Sequence, residues 1–185
     1  LTFDLDDLNV DWSDALEESS VVIHLASRVH ILKDCSAEPL KAFRKTNVSG
    51  TLNLAKQVLS SKIKRFIFIS TIGVNGAETF GEPYKALDVV KPHSHYAISK
   101  YEAEIGLQGI FDGTDVELVI IRVPAIYGID APGNFGKIEG CIKKGIPLPF
   151  ASIQNKRSLI SLDNLVDLIR ICISHPKASN QVFLA

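Results

Sequence analysis

No methionine occurs anywhere in the 185 residues, and the chain opens on Leu1. The expectation is that these residues are the middle of a longer polypeptide. Cysteine is scarce: Cys35, Cys141 and Cys172 are odd in number and far apart. That excludes a disulfide framework and a CxxC metal clamp, and points to a reducing, cytoplasmic setting. Charge of one sign is not in excess either. The 20 Lys and Arg against 21 Asp and Glu leave a net charge of −1, so no global field steers the protein toward nucleic acid or anionic lipid. No apolar run approaches the roughly 20 residues a bilayer requires. Residues 1–10 are acidic rather than basic, so neither a membrane span nor a signal peptide is expected. A glycine-rich phosphate loop is also missing, because the pairs 73/76, 106/109 and 133/136 each lack the third glycine of GxxGxxG. Apolar residues are not lacking. At 46% they exceed what a disordered chain carries, and the length suits one core of ordinary size.

Short β-rich runs alternate with longer helical stretches. Residues 20–27 (SVVIHLAS), 65–71 (RFIFIST) and 117–123 (ELVIIRV) are of strand length and apolar on both faces, the signature of parallel strands covered by helices above and below. Residues 39–60 and 94–111 space their apolar side chains as crossover helices do. A helix over about 163–175, with Asp163 as its cap, and a strand over 181–185 complete the pattern. The expected fold is α/β, a Rossmann-type parallel sheet with helices on both faces, truncated at the N-terminus, plus part of a small substrate-binding lobe. Residues 1–128 read as the sheet domain, 129–157 as the partial lobe, and 158–185 as the helix and strand that return to the sheet.

Tyr96-Ala-Ile-Ser-Lys100 carries the chemistry. Positions i and i+4 share one helix face, so a phenol and an ammonium can point into the same cleft. A lysine cation a few ångströms from a tyrosine favours the phenolate and would bring the phenol's pKa down from about 10, making proton transfer with a sugar hydroxyl feasible. Ser70 and Thr71 end a strand at the carboxyl edge of the sheet, where open α/β sheets bind ligands. His24, inside an apolar run, reads as a satisfied core histidine. His30, His93, His95 and His175 have no partners at metal-ligand spacing, so no metal is expected.

An ordered set of motifs resembles the extended short-chain dehydrogenase/reductases, specifically the NAD-dependent nucleotide-sugar epimerase/dehydratase group. Asp4-Leu5 resembles the acidic turn that meets adenine. Leu25-Ala26-Ser27, after His24, is similar to the HLAA turn beside pyrophosphate and ribose. Asn47-Val48-Ser49-Gly50-Thr51 is similar to the NxxGT helix element. Residues 68–76 resemble SSxxVYG, with Thr71 at the catalytic Ser/Thr position and Asn75 where an aromatic is common. Tyr96 and Lys100 match YxxxK. Residues 122–128 resemble RPxxVYG, with Val123 where relatives often carry Pro or Tyr.

That resemblance implies Thr71, Tyr96 and Lys100 as catalytic residues. It implies Asp4, Leu5, Leu25, Ala26, Ser27, Asn47, Ser70, Tyr96, Lys100 and Val123 as contacts of NAD, with NADP not excluded. Asn134 and Arg157, with Thr71, would hold a UDP- or dTDP-hexose. The implied activity is a UDP-hexose 4-epimerase. A 4-keto reductase or dehydratase, a reductase of non-nucleotide carbonyls and a non-catalytic dinucleotide binder are the alternatives. Relatives carry the glycine loop on a strand–helix unit that would precede Leu1, so these residues alone are expected to bind cofactor weakly. They commonly dimerise through the helices corresponding to 39–60 and 94–111, so a homodimer is implied.

Overall fold

The computed structural model describes residues 4–29, 38–128, 134–148 and 156–185. Cys35 and His30 lie outside these. Four parallel strands form the main sheet in the order β1-β2-β3-β6: β1 is Val21–His24, β2 Arg65–Thr71, β3 Glu117–Val123 and β6 Gln181–Leu184. Register runs Val21↔Arg65 to His24↔Phe68, then Arg65↔Glu117 to Thr71↔Val123. The sheet is buried from both sides, as parallel sheets are. On one face Phe66, Phe68, Leu118 and Ile120 pack with Leu54, Ala55 and Val58 of α3 (Thr51–Val58) and with Ala103 and Leu107 of α4 (His95–Phe111). On the other, Ile67, Val119 and Ile121 meet Leu165 and Cys172 of α6 (Leu162–Ser174). The alternation within β2 and β3 thus feeds two separate cores.

Several local expectations are corrected. The first strand ends at His24, where its pairing with β2 stops, so Leu25, Ala26 and Ser27 leave the sheet as a turn at its carboxyl edge. The single helix expected over 39–60 is α2 (Pro39–Arg44), a π-helical segment (Lys45–Gly50) and α3 in series. The wider π turn accommodates a close crossing: Leu5 runs directly over Gly50. Helix α6 is capped by Ser161, whose Oγ accepts from Asn164 N at 3.1 Å, while Asp163 sits in the first turn, where its charge suits the helix dipole. Helix α5 (Asn134–Lys143) falls within the expected lobe, and two elements too short to show periodicity flank that stretch, β4 (Ala125–Tyr127) and β5 (Leu159–Ser161), paired in parallel as a separate ribbon. A one-turn helix α1 (Ser13–Leu16) precedes β1. None of the described helices is long and apolar enough to cross a membrane.

Candidate active site

Helix α4 runs back along the sheet with its start at the carboxyl edge. Its first turn is fixed by Ser94, in extended conformation, whose Oγ accepts from Ala97 N at 3.1 Å. Strand β2 arrives at the same place. Thr71 Oγ1 accepts from Gly73 N at 3.2 Å and caps the 3₁₀ turn Ile72–Val74, leaving the hydroxyl proton free to donate. The two ends converge around Gly73. A side chain begun there would stand 3.5 Å from Thr71 Oγ1, 3.3 Å from Ala97 Cβ and 3.2 Å from His93 Cε1. Thr71 therefore lies beside the first turn of α4, near Ala97.

Tyr96 is half-buried, its ring tilted against Phe43 at 6.3 Å and its hydroxyl hydrogen-bonded to Ser27 in the turn after β1. Asn47, buried in the π segment, ties these pieces together. Its Oδ1 accepts from Arg28 N at 2.7 Å, and its Nδ2 donates to Arg28 O at 3.0 Å and to Ser99 Oγ at 2.9 Å. Ser99 in turn donates to the Tyr96 carbonyl at 2.8 Å. Asn47 thus holds the turn after β1 at a fixed height over α4.

Lys100, one turn below Tyr96, is 1% exposed, and its Nζ lies 3.9 Å from the centre of the Phe68 ring. Burial depresses its pKa to about 7, opposed by the nearby Glu104 carboxylate. The same burial, with Lys100 adding to it, drives His24 down to about 3. His24 is a neutral core histidine that shares a hydrogen bond with Thr51 Oγ1 at 2.8 Å and stacks on Phe68. Burial also lifts the Tyr96 phenol above its ordinary value, and the hydrogen bond to Ser27 opposes the rise. The expected lowering of the phenol by Lys100 is therefore corrected. An amine driven toward neutrality by its own burial is a weak stabiliser of a neighbouring phenolate.

Other expected site residues fall as follows. Leu25 and Ala26 are exposed on the turn beyond β1, with Leu25 at 61%. Asp4 is exposed and Leu5 lies against Gly50. Val123 is buried at the end of β3, in register with Thr71. Ser70 is buried and its hydroxyl donates to Glu104. Arg157 is exposed just before β5, and Asn134 opens α5 with its side chain outside the described residues. Asn75 turns inward, donating to Lys85 O at 3.1 Å and accepting from Arg122 Nη1 at 3.1 Å. The loop it anchors walls a cavity of about 580 Å³ lined by Tyr84, Lys85, Lys91 and His93 among others.

One buried pair was not singled out by the sequence reading. Glu104 and Arg122 form a buried, two-pronged ion pair, with Nη2 to Oε2 at 2.7 Å and Nε to Oε1 at 3.1 Å. The signals were present: Glu104 follows Lys100 at the same four-residue step that separates Lys100 from Tyr96, and Arg122 is a lone cation in an apolar strand, which requires a partner. Among the described residues, no group of three His, Cys, Asp or Glu could hold a metal ion.

Comparison with known proteins identifies the family and the fold. The model of the NAD dependent epimerase/dehydratase family matches residues 1–184. A protein of Vibrio cholerae named UDP-glucose 4-epimerase is 50% identical over 188 residues, covering 100% of this chain and 57% of that protein. Among solved structures, UDP-glucuronic acid 4-epimerase from Bacillus cereus in complex with NAD superposes with a TM-score of 0.82 at 21% identity, over 99% of this chain and 58% of that one. DesIV, a dTDP-glucose 4,6-dehydratase from Streptomyces venezuelae with NAD bound, gives 0.79 at 19%, over 98% and 56%. These two share the fold. The chain spans little more than half the length of each.

Proposed function

Because this chain belongs to the NAD dependent epimerase/dehydratase family, we propose that the whole protein is an NAD-dependent 4-epimerase of a UDP-hexose. One observation supports the reading: Thr71 Oγ1 and Ala97 Cβ, the residue after Tyr96, both stand within 3.5 Å of where a side chain at Gly73 would begin, so the alcohol and the start of the helix that carries Tyr96 and Lys100 meet at the sheet's carboxyl edge. The 50% identity to the Vibrio cholerae protein favours a UDP-hexose over other nucleotide sugars.

The donor set fits a dinucleotide. A phenol, an amine and an exposed apolar turn at Leu25 and Ala26 lie together along the edge, joined by the Ser27–Tyr96 hydrogen bond. Asp4, Leu5, Leu25, Ala26, Ser27, Asn47 and Val123 would hold the cofactor, with Tyr96 and Lys100 at its reactive end. When bound, NAD supplies reversible uptake and return of the hydrogen on the sugar's C4. The chain's own residues handle the proton. As the phenolate, Tyr96 would take it from the C4 hydroxyl as the carbonyl forms, and as the phenol so formed it would give it back when the carbonyl is reduced again, while Thr71 donates a hydrogen bond to the same oxygen. Lys100, buried and one turn away, supplies the partial positive charge that its burial leaves it. Asn134 and Arg157 would meet the diphosphate, for which a guanidinium is suited. The exposed Ile105 on α4 and Leu59 at the end of α3 favour a homodimer through those helices.

The test is proton NMR of the whole protein with NAD and UDP-glucose in D2O. The expected product is UDP-galactose that keeps hydrogen at C4, because only the hydroxyl proton exchanges with solvent. No interconversion, or deuterium at C4, would overturn the reading.

A further inference from the structure

The buried pair behind Lys100 has no role in the chemistry described so far, yet it ties α4, which carries Tyr96, to β2, to β3 and to the loop that Asn75 anchors. Glu104 is 1% exposed and Arg122 5%. Glu104 Oε1 accepts from Ser70 on β2 and from Arg122 Nε on β3, and Arg122 Nη1 reaches Asn75 at 3.1 Å and Ala86 O at 3.4 Å in the loop that walls the cavity. Lys100 and Glu104 stand one helical turn apart on one face. We propose that Glu104 is a positioning residue for Lys100: a carboxylate shared between Arg122 and Ser70 that sets how much positive charge Lys100 carries beside Tyr96. The inference rests on reading Tyr96 and Lys100 as the reactive pair.

The surroundings of Lys100 explain why one carboxylate can decide this. From β1 comes His24, neutral and stacked on Phe68; from β2 come the Phe68 ring and Ser70; from β3 comes Arg122; from α4 come Tyr96 and Glu104. Among these, Glu104 is the anion and Arg122 the opposing cation. Burial places the Lys100 amine near pH 7, where small changes in that balance change its charge most. Glu104 pulls Lys100 toward the ammonium, and Arg122 is paired with that same carboxylate.

The two residues therefore predict opposite effects. The measurement is a pH titration of the Lys100 ε-carbon by 13C NMR in the whole protein, with the signal assigned by its loss in Lys100→Arg. In Glu104→Gln the midpoint should fall by about one pH unit, a tenfold change in the ammonium-to-amine ratio. In Arg122→Met, which frees the carboxylate, it should rise. A shared structural disturbance would move both the same way. The proposal is overturned if the midpoint stays in either folded variant, or moves in the same direction in both. If one variant fails to fold, the other decides. The titration requires no turnover, so a whole protein without epimerase activity would overturn the functional reading and leave this result standing.

Discussion

Gly50 offers the sharpest test of how the cofactor-side turn is held. It closes the π segment, and a methyl group built there would stand 2.3 Å from the Leu5 carbonyl oxygen and 2.7 Å from Leu5 Cγ. The Leu5 side chain could rotate aside, but the carbonyl oxygen belongs to the backbone and must carry the turn at Asp4 and Leu5 with it. Overpacking of this kind costs about 1–3 kcal/mol, partly offset by the roughly 0.5–1 kcal/mol that alanine gains over glycine within a helix. Gly109 is the matched control. It is exposed on α4 and nothing lies within 4 Å of its would-be methyl. Gly109→Ala should stabilise by about 0.5–1 kcal/mol through the helix effect alone. The two alanine variants should thus differ by roughly 2 kcal/mol in urea unfolding, with Gly50→Ala the less stable. Gly50→Ala should also weaken NAD retention, since the displaced turn carries Asp4. Equal stabilities in the two variants would refute the close crossing of Leu5 over the π segment.

Two further perturbations probe the frame. Asn180 holds a positive φ of 55° and its Oδ1 accepts from Leu118 N at 2.9 Å. In urea unfolding, Asn180→Ala should cost about 2 kcal/mol, from both the left-handed backbone and the lost hydrogen bond, and Asn180→Gly clearly less. His24, depressed in the folded state from 6.5 to about 3, binds its proton more readily when unfolded. Its contribution is fully present above pH 6.5 and is lost as pH falls toward 3, so stability should rise with pH across that window. Replacing it as His24→Gln should flatten that rise, and an unchanged slope would mean that His24 is not the buried neutral group described.

The sheet and its crossovers were legible because strands buried on both faces and amphipathic helices leave strong periodic signals, as Phe66–Ile69 and residues 94–111 do. The Tyr96–Lys100 spacing was legible for the same geometric reason. What sequence spacing could not show is depth. Burial of Lys100 on the Phe68 ring makes it a weak cation rather than a strong one, and burial of Tyr96 itself raises the phenol that Lys100 was expected to lower. Ser70, four residues of strand away from any charge in sequence, proves to be bound to Glu104 through folding alone. The β4–β5 ribbon is three residues a side, too short for alternation to register, and the π segment differs from an α-helix by a single inserted residue per turn that composition does not announce.

The central claim is that the Tyr96 phenol moves the proton of the sugar hydroxyl, and the direct measurement is the C4 epimerisation rate of Tyr96→Phe against the parent whole protein at saturating NAD and UDP-glucose. A hundredfold to ten-thousandfold loss, roughly the range for removing a general acid–base group, is expected with NAD binding kept. A variant that turns over within tenfold of the parent would contradict the account.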